Sequence, residues 1–242
     1  MEIFADTSDI AEVTKWVRRG VLDGVTTNPS IMLKDGVRDM EKAAVEIAEV
    51  LEGRPVSVEV TTNDVEEMMA QARTFAKWAP NIVVKIPIIN EYGLPSLEVI
   101  HTLSQEGIKI NATAMLSFNQ VMLAAKAGAT YLSIFAGRVA DEGHDPAELI
   151  STAARWVERW GYGKILVGSI RGNLDIQRAA AAGAHIITVP PAILDKAVDH
   201  KYSRETVKVF NADAQKALVE MEKLGAKRPD VRGHGSDRSR RA

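Results

Sequence analysis

The sequence predicts a closed (β/α)8 barrel of the TIM type, followed by one additional C-terminal helix. Short apolar, β-branched runs alternate with longer helical patterns about eight times within roughly 200 residues. The runs are apolar on both faces, as is typical of parallel strands that are covered on both sides. A doubly wound open sheet is the competing architecture, but neither G-x-G-x-x-G nor G-x-x-x-x-G-K-[ST] follows any run, so the nucleotide-binding reason to prefer it is absent.

The strands and the helix boundaries can be placed along the chain. The predicted strands cover residues 3–6, 24–27, 56–60, 82–87, 108–113, 131–135, 165–169 and 185–189. Four glycines stand where a left-handed residue would end a helix and release the chain into the next strand: Gly20, Gly107, Gly128 and Gly183. Helix N-termini are predicted at Ser117, at Asp145-Pro146 and at Asn173.

Residues 1–225 are predicted to form the barrel and its C-terminal helix, and residues 226–242 a disordered tail. The helix covers roughly residues 204–224 and carries apolar residues on one side, including Phe210 and Leu218. It can pack on its own barrel or on a neighbouring subunit, and both alternatives stay open. The tail from Lys227 onward has a net charge of about +4 and no apolar periodicity. A solvated tail is favoured over a nucleic-acid-binding arm, because no aromatic residue is present to stack on bases.

Composition excludes several classes of function. The chain has 242 residues, a net charge of −2 and no cysteine, so it has no disulfides, thiolate metal ligands or cysteine nucleophiles. The charge balance predicts no nucleic-acid partner, and no apolar run is long enough to span a membrane. The five histidines show no H-x-x-x-H spacing, so no metal site is predicted. The first residues lack the features of a signal peptide, which favours the cytoplasm.

Polar residues cluster at the carboxyl ends of the predicted strands, where barrel enzymes carry their active sites. They are Asp6, Thr26, Asn28, Glu59, Lys85, Asn111, Thr113, Ser133, Arg138, Ser169 and Arg171. Lys85 is the most informative, because alternation in its strand can turn it into the barrel interior. Burial favours the neutral amine, the form that attacks a carbonyl to make a Schiff base. A lysine that reaches the strand end beside an acid is the equally weighted alternative.

Two further groups each have a functional and a structural interpretation. Asp6 and Glu59 can move protons around a Schiff base, or one of them can simply pair with the lysine. Arg138 and Arg171, with the hydroxyl of Ser169, can bind a phosphate dianion. The alternative is that the arginines are surface residues paired with Asp141 or Glu142.

Six motifs together resemble the transaldolase family, in register from residue 1 to about residue 220. They are Ala5-Asp6-Thr7-Ser8, Gly24-Val25-Thr26-Thr27-Asn28-Pro29-Ser30, Val84-Lys85-Ile86-Pro87, Asn111-Ala112-Thr113, Ala127-Gly128-Ala129-Thr130-Tyr131 and Phe135-Ala136-Gly137-Arg138. The short chain suggests the small subfamily that includes the fructose-6-phosphate aldolases. The resemblance implies a cytoplasmic enzyme of the pentose phosphate pathway with no metal or cofactor. It also implies a homo-oligomer, a pentamer or a decamer.

The resemblance also implies roles for individual residues. Lys85 matches the Schiff-base lysine, and Asp6 matches the carboxylate that takes the proton of the donor's C4 hydroxyl. Glu59 and Thr113 match the pair that holds a catalytic water. The predicted substrate-binding residues are Thr26, Asn28, Asn111, Ser133 and Phe135, and the predicted phosphate-binding residues are Arg138, Ser169 and Arg171.

The expected activity is transfer of a dihydroxyacetone unit from a ketose phosphate, sedoheptulose 7-phosphate or fructose 6-phosphate, to an aldose phosphate. The aldolase branch of the family has Gln at the position of Glu59 and Tyr at the position of Phe135, so the residues present here favour the transferase. The alternatives are an aldolase that releases free dihydroxyacetone and a non-catalytic protein that binds sugar phosphates.

Overall fold

A computed structural model of the chain describes residues 1–225, and the predicted tail at residues 226–242 lies outside them. All eight predicted strands are present, each within two residues of its expected bounds. They are β1 (Glu2–Asp6), β2 (Gly24–Thr26), β3 (Val56–Glu59), β4 (Ile82–Pro87), β5 (Ile110–Met115), β6 (Tyr131–Phe135), β7 (Lys164–Gly168) and β8 (Ile186–Val189). Every neighbouring pair is parallel, and β8 pairs with β1, so the sheet closes in chain order. The prediction of a (β/α)8 barrel is confirmed.

Helices follow the strands throughout the described residues. They are α1 (Ile10–Arg18), α2 (Pro29–Lys34), α3 (Met40–Val50), α4 (Val65–Phe75), α5 (Leu97–Gln105), α6 (Phe118–Ala127), α7 (Ala136–Asp141), α8 (Pro146–Trp160), α9 (Asn173–Ala181), α10 (Pro191–Val198) and α11 (Lys201–Lys223). The four predicted helix-ending glycines all have left-handed φ angles between 70° and 104°. Ser117 and Asp145 cap α6 and α8 as predicted. The N-cap of α9 is Gly172, one residue before the predicted Asn173, which is instead the first residue of the helix.

Strand β5 lies two residues later in the chain than predicted, and its backbone contains a bulge near its carboxyl end. Ala114 has a φ of 60°, and the register against β6 shifts between Ala112 and Met115. Ala112 and Met115 are both buried in the layer between strands and helices, although they are three residues apart. The bulge therefore breaks the simple alternation of side chains at the carboxyl end of this strand.

The barrel interior is apolar at one end and polar at the other. Phe4, Leu166 and Ile186 form a separate buried cluster inside the barrel, and the ring of Tyr131 meets that of Phe4 edge-on. Two residues further along β1, β7 and β8, toward the carboxyl ends, come Asp6, Gly168 and Thr188. The apolar cluster thus closes the amino-terminal end of the interior and leaves the polar layer at the carboxyl end, where active sites of this fold lie.

The chain divides into two compact units, Met1–Asp195, which contains the barrel, and the segment from Lys196 onward. The second unit contains α11, which includes most of the predicted C-terminal helix and begins three residues earlier. None of the α11 side chains is buried, and Phe210 is 66% exposed. Within the described residues, no helix is long and apolar enough to cross a membrane.

Candidate active site

A pocket of about 560 Å³, including its solvent-filled mouth, opens at the carboxyl ends of the strands. Eight of the residues that line it were predicted as site residues: Asp6, Thr26, Asn28, Lys85, Ser133, Phe135, Arg138 and Ser169. Leu166, Gly168 and Thr188 complete the lining. Five different strands and the segments that follow them supply the predicted side chains, so the pocket exists only because the sheet closes into a barrel.

Lys85 lies inside the barrel and is 4% exposed. Its Nζ is 3.0 Å from Glu59 Oε2 on the adjacent strand β3 and 3.3 Å from the carbonyl oxygen of Thr27. The ring of Phe135 lies across the pocket, with its centroid 6.0 Å from Nζ. The sequence left two interpretations of this lysine, and the structure combines parts of both: the amine is buried, and it is paired with an acid.

Asp6 is the second carboxylate near this amine. Burial raises the pKa of Asp6, and the charges of Glu59 and Asp35 act in the same direction. The charge of Lys85 and a hydrogen bond from Thr26 oppose the increase without cancelling it. A carboxylate whose pKa is raised binds a proton more readily than an exposed one, which suits a general base.

A chain of hydroxyl groups fixes the orientation of the Asp6 carboxylate. Thr26 Oγ1 donates to Asp6 Oδ1 at 2.7 Å and lies 2.6 Å from Thr188 Oγ1. Since the hydroxyl of Thr26 has one hydrogen, that of Thr188 is the donor in the second contact. Thr188 was not among the predicted site residues, although alternation in β8 places it on the same face as the inward-facing Ile186.

A second buried network holds the amide of Asn111. Its Nδ2 donates to Ser57 Oγ at 3.0 Å, and its Oδ1 accepts a hydrogen bond from Ser133 Oγ at 2.6 Å. Ser57 was not predicted as part of the site, although it is two residues before Glu59 on β3. Thr113 is also buried, and its hydroxyl has no hydrogen-bond partner among the described residues. An unpartnered buried hydroxyl is a position where a water molecule or a substrate oxygen would be stabilised.

Asn28 connects the pocket to the helix that follows β2. Its Oδ1 accepts a hydrogen bond from the backbone N–H of Ile31 at 2.9 Å and so caps α2, in which Pro29 is the first residue. The cap fixes the side chain and leaves its amide nitrogen available to a ligand in the pocket. The Asn-Pro pair of the motif therefore both starts a helix and orients a binding group.

The predicted phosphate-binding residues lie in two neighbouring cavities. Arg138 and Ser169 line the central pocket, and Ser169 has a φ of 59°, which is uncommon for a residue with a side chain. Arg171 instead lines a cavity among α7, α8 and α9, and it forms a bidentate ion pair with Asp141. This pair is the structural alternative that the sequence left open for Arg171.

Sequence comparison identifies the family of the chain. The profile of the transaldolase/fructose-6-phosphate aldolase family matches residues 3–234. The chain belongs to this family. It is 42% identical over 214 residues to a "Probable transaldolase" of Streptococcus equi subsp. zooepidemicus, covering 88% of this chain and 97% of that protein.

A second relative supports the same family assignment, and a solved structure shares the fold. A "Probable transaldolase" of Dehalococcoides mccartyi is 41% identical, with 88% of this chain and 97% of that protein covered. Thiamine phosphate pyrophosphorylase from Pyrococcus furiosus superimposes with a TM-score of 0.54 at 12% identity, covering 78% of this chain and 85% of that one. At that identity the second likeness concerns the fold alone.

Among residues 1–225, no three His, Asp or Glu side chains converge as metal ligands would.

Proposed function

We propose that this protein is a transaldolase that works through a Schiff base on Lys85. The observation that carries the proposal is the buried Nζ of Lys85, which faces the pocket 3.0 Å from Glu59. An ammonium group in this ion pair must lose a proton before it can attack a carbonyl, and the nearest carboxylate oxygen can accept that proton. The amine then adds to the C2 ketone of a ketose phosphate, and loss of water gives a protonated imine.

Asp6 performs the step that breaks the carbon–carbon bond. Its carboxylate removes the proton from the C4 hydroxyl, the C3–C4 bond breaks, and the bonding electrons move into the protonated imine to give an enamine. The C4 oxygen becomes the aldehyde of the departing aldose phosphate. Thr26, whose hydroxyl is itself held by Thr188, donates to one carboxylate oxygen of Asp6, which leaves the other oxygen to receive the proton.

The remaining polar groups bind the substrate and move protons through water. The amide of Asn28 and the hydroxyl of Ser133 line the pocket, where they can bind the hydroxyls of the donor. Asn111 is buried next to Ser133, from which it accepts a hydrogen bond, and is the third group that we assign to binding the donor. Glu59 and Thr113 are suited to hold a water that hydrolyses the final imine. Arg138 and Ser169 line the pocket and supply the guanidinium and the hydroxyl that we assign to the substrate phosphate.

Transfer is favoured over release of free dihydroxyacetone because of Phe135. The enamine is released only after it has been protonated on carbon, and a phenyl ring near Lys85 has no proton to give. The retained three-carbon unit instead adds to the aldehyde of an incoming aldose phosphate. A comparison of acceptor-dependent transfer with formation of free dihydroxyacetone distinguishes this transferase from an aldolase.

Reduction with borohydride tests the Schiff base directly. Incubation with fructose 6-phosphate and borohydride should add a stable mass to the peptide that contains Lys85, and Lys85→Ala should abolish both labelling and turnover. Lys164→Ala is the matched control, since Lys164 lies at the start of β7 and pairs with Glu2 at an exposed position. The mechanism would be excluded if Lys85→Ala were labelled as strongly as the unmodified protein. It would also be excluded if the unmodified protein were active but were not labelled by borohydride and fructose 6-phosphate.

We also propose that the chain forms a homo-oligomer in which α11 of one copy packs against another copy. One face of α11 carries Val207, Phe210, Ala214, Leu218, Met221 and Leu224. Phe210, Met221 and Leu224 are each more than half exposed, and exposed apolar stripes of this kind are typical of interfaces. Light scattering should give a multiple of 26.4 kDa. Phe210→Lys should reduce the molar mass, whereas Val219→Lys on the opposite face should not.

A further inference from the structure

Asp141 lies between the two arginines that are candidates for phosphate binding. Both Nη atoms of Arg171 donate to the two carboxylate oxygens of Asp141. Arg138 is on the same helix as Asp141, three residues earlier, and is close enough for its charge to act on that carboxyl. The hydrogen bonds from Arg171, together with the charges of both arginines, hold the pKa of Asp141 below its usual value.

The guanidinium of Arg171 stands at the border of the central pocket. A Cβ on Gly137 would meet Arg171 Nε at 2.8 Å and Ser169 Oγ at 2.7 Å, so both atoms lie close to one point. Ser169 lines the central pocket, whereas Arg171 lines the adjacent cavity. The Nε of Arg171 is therefore beside the pocket wall, while its two terminal nitrogens are turned to Asp141.

We propose that Asp141 sets the affinity of the pocket for the substrate phosphate by competing with that phosphate for Arg171; this proposal rests on the proposed function of the pocket. In the free protein the carboxylate occupies the paired donors that a phosphate would use. A phosphate dianion carries more charge and more acceptor oxygens than a carboxylate, so it can displace Asp141 from an exposed ion pair. A sugar without a phosphate has no group that releases Arg171.

The opposite role for Asp141 makes the opposite prediction. If the carboxylate is a strut that holds Arg171 ready for phosphate, its removal weakens phosphate binding. If it is a competitor, removal strengthens phosphate binding. The sign of the change therefore separates the two roles.

The experiment compares Asp141→Asn with the unmodified protein by calorimetric titration with inorganic phosphate. We expect Asp141→Asn to lower the Kd for phosphate about 3- to 5-fold, the effect of losing one exposed ion pair. The KM for fructose 6-phosphate should fall by a similar factor while kcat is unchanged. Glu142→Gln is the matched control, because it removes the same charge one residue away, and Glu142 forms no ion pair with either arginine in the described chain.

Two results would overturn the proposal: a higher Kd for phosphate in Asp141→Asn, or the same change in Glu142→Gln. The melting temperature of each variant verifies that it is folded. Borohydride trapping with dihydroxyacetone, which has no phosphate, reports on Lys85 alone. Failure of that trapping in the unmodified protein contradicts the Schiff-base mechanism, whereas the phosphate titration needs no catalysis, so the two failures are distinguishable.

Discussion

Replacing Lys85 with methionine should destabilise the fold as well as abolish activity, because the substitution leaves Glu59 without its cation. Breaking a buried ion pair by removing one partner costs about 3–5 kcal/mol. The side chain of Glu59 is 18% exposed and can be reached by water from the pocket, so we expect a value near the lower end. For a chain of this length, about 3 kcal/mol corresponds to a fall of roughly 6–12 °C in Tm.

The loss should depend on pH, because Asp6 and Glu59 face each other once the cation is gone. Lys85 exerts the strongest of the influences that lower the pKa of Asp6, so its removal raises that pKa further. A carboxyl whose pKa is higher in the folded than in the unfolded protein binds protons preferentially when folded. Stability is then lost as the pH rises through the folded pKa, so the deficit should be larger at pH 8 than at pH 5.

Urea unfolding followed by tryptophan fluorescence, at pH 5 and pH 8, measures this effect. Lys164→Met is the control, since its pair with Glu2 is exposed and its loss should cost no more than about 1 kcal/mol. The double variant Lys85→Met/Glu59→Gln should recover much of the lost stability. A loss no greater than in the control, or one independent of pH, would show that Lys85 does not neutralise a buried carboxylate pair.

Three other substitutions test separate parts of the pocket. Asp6→Asn should abolish turnover but raise Tm at pH 7, because the raised pKa of Asp6 means that its ionised form destabilises the fold, by about 1.4 kcal/mol for each pKa unit. The gain in Tm should shrink as the pH falls, and an equal or lower Tm at pH 7 contradicts this. Phe135→Tyr should increase release of free dihydroxyacetone by about 10- to 100-fold, as a positioned acid would; an unchanged ratio of release to transfer counts against the role of Phe135. Gly137→Ala should lower the free energy of unfolding by about 1–3 kcal/mol, since a Cβ would meet the carbonyl oxygen of Ser169 at 2.3 Å, and should raise the KM for fructose 6-phosphate. Thermal unfolding and steady-state kinetics measure the two effects. Gly172→Ala is the control, because a Cβ there meets nothing within 4 Å.

The strands and most helix ends are local features, and the sequence was sufficient to predict them. Apolar runs of strand length, glycines at left-handed positions and capping residues such as Ser117 each act within a few residues. Strand alternation likewise placed Lys85 on the face opposite Val84 and Ile86, but left open whether that lysine faces the barrel interior. The bounds of β5 were predicted two residues too early, and its bulge at Ala114 was not predicted at all, since it leaves no distinctive sequence signal.

The pairing of side chains was decided by the tertiary structure alone. Thr188 meets Thr26 because β8 closes onto β1, a contact between residues 162 positions apart. Arg171 and Asp141 were seen in the sequence as a possible pair, but only the folded chain shows that the arginine meets this carboxylate, 30 positions away. Local periodicity tells which way a residue points along its own strand or helix. What it meets there is determined by barrel closure, because closure brings distant segments to the same end of the sheet.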